Sequence, residues 1–300
     1  MRILVTGGTG LLGYNLLKVL SVKGYDTYAT YHSHEPPPID GVKWLRLDLE
    51  NTAEIADVLS SAKPDVVVHS AAYTDVDGCE KNKQKAYVVN YIATKVIAKH
   101  VARQSGFMIY ISTDYVFDGE KGLYREDDVP NPINFYGLTK LLGEVAVLSI
   151  LSEEQSLVIR VSGLYGYSPT GKKNFGINAL EKLVQKEEVI AFTDQYLSPT
   201  YAYFLSERIV RAVEKEIHGI IHIAGQRMSR YEFAALLART LGVSEDLVKP
   251  TTMSNLRLIA RRPRDSSLDT SYAKSLGLDM PNQEECIRHF IETYQKYVKG

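Results

Sequence analysis

The chain has 300 residues, 45% of them hydrophobic, enough for one large core or two joined ones. Its formal net charge of −1 provides no overall field to draw it to nucleic acid or an anionic membrane, so a small or weakly charged partner is expected. The two cysteines, Cys79 and Cys286, are too few for a disulfide framework and lack metal-ligand spacing, which suits a reducing compartment.

The N-terminus MRILVTGGTG runs from a short strand, 2–6, straight into glycines. It has no long apolar stretch with a small-residue cleavage site, and no later run reaches membrane-spanning length, so a soluble cytoplasmic protein without membrane contact is expected. A helix over 11–23 follows, and Gly7, Gly10 and Gly13 stand between strand and helix as G-x-x-G-x-x-G. Such a turn lets backbone N–H groups and the helix N-terminus approach a pyrophosphate. Gly7, Thr9, Gly10, Leu11, Leu12 and Gly13 are therefore the candidate dinucleotide cradle.

The second strand, 26–31, ends at Tyr31, His32 and Ser33, where an acidic residue would ordinarily bond a free ribose 2′-OH. Its absence favours NADPH, with His32 or Ser33 beside a 2′-phosphate and NADH the less favoured cofactor; the competing reading of both residues is an exposed loop. A strand over 42–47 leads to Asp48 and Leu49. Asp48 is placed either to meet the adenine edge or to cap the helix over 52–61. The strand 65–69 runs into Ala71, Ala72, Tyr73 and Thr74, and a long helix is expected over 80–105.

The strand 107–112 carries Ser112 and Thr113 to the carboxyl edge of the sheet, where ligands bind in such folds. A helix over 134–151 holds Tyr136 and Lys140 four residues apart, hence on one face. Bringing a phenol from about 10 toward 7 takes roughly 4 kcal/mol, within reach of close positive charges. A strand over 157–162 follows; after Tyr165 the alternation loosens into YSPTGKKNF, and the C-terminal third is mostly helical, near 229–241 and 283–298. The alternation predicts an α/β fold: a doubly wound parallel Rossmann sheet over 1–165, with 190–225 returning to it, and a smaller, mostly helical C-terminal substrate lobe over 166–189 and 226–300. His69, His100, His218, His222 and His289 show no ligand spacing, so no metal is expected.

Several motifs in order, TGGTGLLG, HSAAYTDVDGCE, STDYVFDG, YGLTKLLGE, RVSGLYG, DQYLSPT and ARRPRDSSLDT, span nearly the whole chain. Together they resemble the extended short-chain dehydrogenase/reductase superfamily and, within it, the dTDP-4-dehydrorhamnose reductases. The resemblance implies a triad: Tyr136 protonates a sugar carbonyl oxygen, Thr113 hydrogen-bonds that oxygen, and Lys140 holds the nicotinamide ribose and lowers the tyrosine pKa. It places Ala71, Ala72 and Tyr73 along the cofactor diphosphate and ribose, and it matches Asn90 to a helix position where a core hydrogen bond is the favoured role. A nucleotide-diphosphate sugar becomes the expected substrate, contacted by Thr74, Ser112, Thr113, Asn174 and Arg262. Asp75 and Asp77 are weaker candidates, and Arg261, Arg262 and Arg264 suit a diphosphate by bidentate bonding or else form a solvated basic loop. The superfamily makes a homodimer plausible, although no residue requires one.

The sequence also departs from that pattern. Reductases of this kind commonly carry a tryptophan within the motif aligned with RVSGLYG, and Gly163 stands there instead, which puts the exact substrate in question; Tyr165 either compensates for the lost aromatic face or, the favoured reading, packs near the cofactor. YREDDVPNPINFYGLTKLLGE and QRMSRYEFA also resemble the regulatory β subunit of eukaryotic methionine adenosyltransferase, so an NADP-binding regulatory subunit is the second reading. A nucleotide-sugar epimerase of the same fold is the third. Dehydration ranks low, because Thr113 is followed by Asp114 and Tyr115 rather than by an Asp-Glu pair.

Overall fold

The computed structural model describes residues 1–171 and 173–299; Lys172, in the YSPTGKKNF loop, lies outside them. Its strands are β1 (Arg2–Thr6), β2 (Asp26–Tyr31), β3 (Val42–Arg46), β4 (Val66–His69), β5 (Phe107–Thr113), β6 (Ser156–Val161), β7 (Val189–Phe192), β8 (Tyr196–Leu197), β9 (Gly219–His222), β10 (Met228–Ser229) and β11 (Val248–Thr251). The helices are α1 (Leu11–Lys23), α2 (Thr52–Ala62), α3 (Val76–Lys81), α4 (Lys83–Tyr87), α5 (Ala93–Arg103), α6 (Phe135–Ile150), α7 (Phe175–Val184), α8 (Ala202–Glu214), α9 (Arg230–Leu241), α10 (Ser271–Ser275) and α11 (Gln283–Lys299).

Seven strands form one parallel sheet in the order β3-β2-β1-β4-β5-β6-β9. The order reverses between β1 and β4, and in open α/β sheets the crevice at the carboxyl ends of such a pair is where ligands bind. The strands read as continuous apolar runs because both faces are covered. Ile3, Val5, Val66, Val68, Ile109, Ile111, Leu157 and Ile159 point to the side covered by α1 and α8. Leu4, Val67, Met108, Tyr110 and Val158 point to the side covered by α2, α5 and α6.

Two differences from expectation have local causes. The helix expected over 80–105 is broken: Asn82 leaves the helical conformation at φ −129° and its side chain accepts from Lys85 N, capping α4. One π-turn, Val88–Ile92, then separates α4 from α5. Within 190–225, α8 and β9 lie with the central sheet, whereas β7 pairs with β11. A third core gathers Tyr165, Ile177, Leu180, Phe233, Leu237, Ile287 and Phe290 from α7, α9, α11 and the segment after β6.

Candidate active site

The cleft begins at the first turn. Gly7 takes φ +70°, and a Cβ there would stand 2.9 Å from Ala71 Cα; a Cβ on Gly13 would stand 2.2 Å from the Gly7 carbonyl oxygen. Only glycine permits this close approach of strand, turn and helix, and the space preserved is a backbone-lined cradle of the kind a pyrophosphate fills. The residues present thus fit a dinucleotide. Thr6 Oγ1 receives the Ala71 N–H at 3.2 Å and meets His69 Nδ1 at 2.7 Å, which ties the end of β1 to that of β4.

A cleft of about 700 Å3 extends from this cradle, and Gly7, Thr9, Gly10, Leu11, Leu12, Gly13, His32, Ser33, Ala71, Ala72, Thr74, Ser112, Thr113, Tyr136, Lys140 and Asn174 all line it. A smaller adjoining hollow of about 200 Å3 is lined by Tyr31, Asp48, Leu49 and Tyr73. Among the candidates, Arg262 lines neither. Its guanidinium pairs with Asp77 at 2.9 Å and donates to Ala260 O at 2.9 Å, while Asp77 also receives the Ala260 N–H. Asp77 and Arg262 therefore hold the 260–262 loop against α3. Arg230, at the start of α9, brings a guanidinium to the cleft instead. Its Nε donates to Gln195 Oε1 at 2.6 Å, and its charge lies 4.8 Å from the Phe175 ring centroid.

Several other positions prove architectural. Asn51, not Asp48, caps α2, accepting from Ala53 N at 3.2 Å; Asp48 lies 3.6 Å from His32 Nε2. Asp75 caps α3 through Gly78 N. Asn174 faces the cleft, yet its side chain caps α7 through Ile177 N and donates to Gly166 O. Asn90 accepts from Tyr73 N and donates to Tyr73 O and to Thr139 Oγ1, the core role expected of it. Tyr165 packs in the third core against Tyr201, Phe233 and Phe290, with its hydroxyl receiving Gln283 Nε2, so the expected packing near the cofactor is replaced by a structural one. Its side chain alternates away from the cleft, and nothing in the RVSGLYG motif signals which side it takes.

Thr113 and Tyr136 sit together at the carboxyl end of β5. Burial drives the Tyr136 phenol above its ordinary range, its hydrogen bonding with the Thr113 hydroxyl works against that, and the nearby Asp114 carboxylate reinforces it. Burial pulls the Lys140 ammonium down to about 7, with the negative charge of Glu144 opposing. Lys140 Nζ donates to Ile111 O at 2.7 Å and lies 4.0 Å from the Tyr110 ring centroid. Glu144, one turn further along α6, receives Ser112 Oγ at 2.5 Å and forms a buried ion pair with Arg160 Nη2 at 2.8 Å.

Sequence reasoning did not place Asp114 in this site. Its carboxylate is 3% exposed and receives Thr113 Oγ1 at 3.0 Å, Ser162 Oγ at 2.8 Å and Ser266 Oγ at 2.5 Å. Burial raises its pKa to about 6 against those three hydrogen bonds. Arg230 and Leu197 were also missed as cleft residues, although both lie in stretches, QRMSRYEFA and DQYLSPT, that carry the resemblance.

A seven-stranded parallel sheet, a glycine turn at its switch point and a tyrosine and lysine one turn apart beside it are the arrangement of the extended short-chain dehydrogenases/reductases, a class of NAD(P)H-dependent oxidoreductases. Residues 1–296 match the family described as RmlD substrate binding domain, and the chain belongs to that family. It is 32% identical to a probable low-salt glycan biosynthesis reductase of Haloferax volcanii, over 99% of each chain. It is also 32% identical to methionine adenosyltransferase 2 subunit beta of Xenopus tropicalis, over 92% of this chain and 83% of that one. Among solved structures, a hypothetical dTDP-4-dehydrorhamnose reductase from Sulfolobus tokodaii is 39% identical with a TM-score of 0.81, covering 95% of this chain and 98% of the other. The dTDP-4-dehydrorhamnose reductase of Bacillus anthracis in complex with NADP is 29% identical with a TM-score of 0.84, covering 100% and 99%.

Proposed function

We propose that the protein uses NADPH, and less readily NADH, to reduce the 4-keto group of a dTDP-4-dehydro-6-deoxyhexose, forming dTDP-L-rhamnose. The observation that carries this reading is that Thr113, Tyr136 and Lys140 line the same cleft as the glycine cradle. Similarity to a dTDP-4-dehydrorhamnose reductase that binds NADP supports the substrate class and the cofactor. The absence of an acid after β2, with His32 and Ser33 lining the cleft, supports the phosphorylated cofactor.

When bound, the cofactor supplies the hydride. Tyr136 then has one task, to give its phenolic proton to the carbonyl oxygen as the alcohol forms. Burial keeps that proton on the phenol at neutral pH, so the residue enters as a donor. Thr113 spends its hydroxyl hydrogen on Asp114 here, and turning it to the substrate oxygen leaves Asp114 still satisfied by Ser162 and Ser266. Lys140, pinned by Ile111 O, keeps further N–H donors for ribose hydroxyls, and its charge is the source of any lowering of the Tyr136 pKa in the loaded site. Arg230, with no carboxylate in ion-pair range among the described residues, takes the diphosphate role first considered for Arg262. The segments 166–189 and 226–300 form the substrate lobe in this reading.

The test is NADPH oxidation with dTDP-4-dehydro-6-deoxy-L-mannose. Tyr136→Phe is expected to lose roughly 10²- to 10⁴-fold in kcat while its NADPH affinity is kept. Wild-type turnover that survives in the variant refutes the role of Tyr136. The likeness to a methionine adenosyltransferase β subunit supports a second reading, a cofactor-loaded regulatory subunit. Tight NADPH binding without turnover, together with co-purification of an adenosyltransferase, would favour it.

A further inference from the structure

Beside the cleft lies a separate chamber of about 120 Å3, walled by Leu164, Tyr165, Phe175, Pro199 and Phe233. It shares Gly163, Leu164, Leu197 and Arg230 with the cleft, so the two are joined along that edge. Its volume is below the roughly 150 Å3 of an apolar cavity that stays dry and takes benzene. Apart from Arg230 at the rim, the side chains around it are hydrocarbon or aromatic. Its lining is more apolar than polar, so a small apolar group gains contact along most of it.

Glycine keeps the chamber open. Gly163 holds φ +51°, and a Cβ on it would stand 2.2 Å from Leu197 Cδ1, so a side chain at this position would displace Leu197. Gly176 lets α7 pack directly on Tyr165, since a Cβ there would stand 2.7 Å from Tyr165 Cβ. The chamber is also tied to the reacting end of the cleft. Ser162, next to Gly163, donates to Asp114, which accepts from Thr113; Ser198, next to Leu197, donates its N–H to Ser162 Oγ at 3.0 Å.

We infer that this chamber is a specificity subsite for the apolar substituent on the sugar carbon adjoining the reacting carbonyl, an inference that rests on the keto-sugar reading above. Of the two carbons flanking C4, C3 bears a hydroxyl and C5 of a 6-deoxyhexose bears a methyl. An apolar chamber joined to the Thr113 end selects the methyl. Its volume exceeds that of one methyl group, so a somewhat longer C5 alkyl group also fits.

The experiment is calorimetric titration of the NADP⁺-loaded protein with three product-type ligands: dTDP-L-rhamnose, the dTDP-L-pentose of the same configuration lacking C6, and dTDP-L-mannose, in which C6 carries a hydroxyl. The expected result is binding of the 6-deoxyhexose about 10- to 200-fold tighter than the pentose, the usual worth of one methyl in an apolar pocket. The C6 hydroxyl is expected to recover none of that gain. In Leu197→Phe, which fills the chamber, the preference should fall to near unity, chiefly by loss of the 6-deoxyhexose. If that variant fails to fold, the ligand series on the wild type decides the matter alone. Equal affinity for 6-deoxyhexose and pentose overturns the chamber assignment and leaves the reductase reading intact; failure of all three to bind overturns both.

Discussion

Asp114 is a buried carboxylate held by hydroxyls, with no cation in ion-pair range among the described residues. Three hydrogen bonds do not offset its burial, and its pKa rises to about 6 from an ordinary 3.8. A raised carboxyl favours the folded state below its unfolded value, and that contribution is lost as pH climbs through the folded one, here between about 4 and 6. The size is on the order of 3 kcal/mol at 1.36 per unit. Asp114→Asn removes the titration, so the variant's unfolding free energy relative to wild type, from urea melts, should rise by about that amount between pH 4 and pH 7. A pH-independent difference contradicts the account. Glu144 presents the opposite case, a buried carboxylate fully paired by Arg160 and Ser112. Glu144→Ala leaves the buried Arg160 charge without its carboxylate, with only Glu126 O and His222 beside it, and should cost about 3–5 kcal/mol in the same melts; a loss under 1 kcal/mol would show that the pair is dispensable.

At the scale of elements, the turn joining β1 to α1 has the least room for change. Gly13→Ala drives a methyl into the Gly7 carbonyl, so the turn must open and the cradle widens. NADPH affinity, followed by its fluorescence, should weaken by at least about tenfold, or 1.4 kcal/mol; unchanged affinity would show that the turn is not the phosphate cradle. This turn was legible because its chemistry is local: strand, three glycines and helix stand in consecutive positions. The break in the expected 80–105 helix was not legible. Apolar periodicity runs on through Val88–Ile92, whereas the π-turn is set by backbone bonding and accompanies Asn90 reaching from α4–α5 to the distant Tyr73 backbone. The same limit explains Arg262 and Arg230. Charge type recommended Arg262 and passed over Arg230, and only the tertiary position of Asp77 decides which guanidinium is taken up by an ion pair.

At the scale of the whole molecule, the alternating strands and helices of the first half made the doubly wound sheet readable, since parallel strands buried on both faces write themselves as apolar runs. The last strand of that sheet, β9, was harder to see, because it arrives after the small pairings of β7 and β8 with residues far along the chain. Cleft and sheet are coupled thermodynamically as well as by topology. A ligand that binds only the folded chain stabilises it by about 2.7 kcal/mol at a hundred times its Kd. The thermal midpoint should therefore climb with NADPH concentration, and climb further than with equal NADH. A midpoint indifferent to either nucleotide would contradict the cradle assignment.

The most direct test of the central claim follows the transferred hydrogen. The protein would be supplied with NADPH deuterated at the reactive face of C4 and with dTDP-4-dehydro-6-deoxy-L-mannose, and the sugar nucleotide then analysed by mass spectrometry and proton NMR. The account predicts a product heavier by one deuterium, located at the sugar C4, formed by the wild type and nearly absent with Tyr136→Phe. Unlabelled or unchanged sugar, from protein that still binds NADPH, would contradict it.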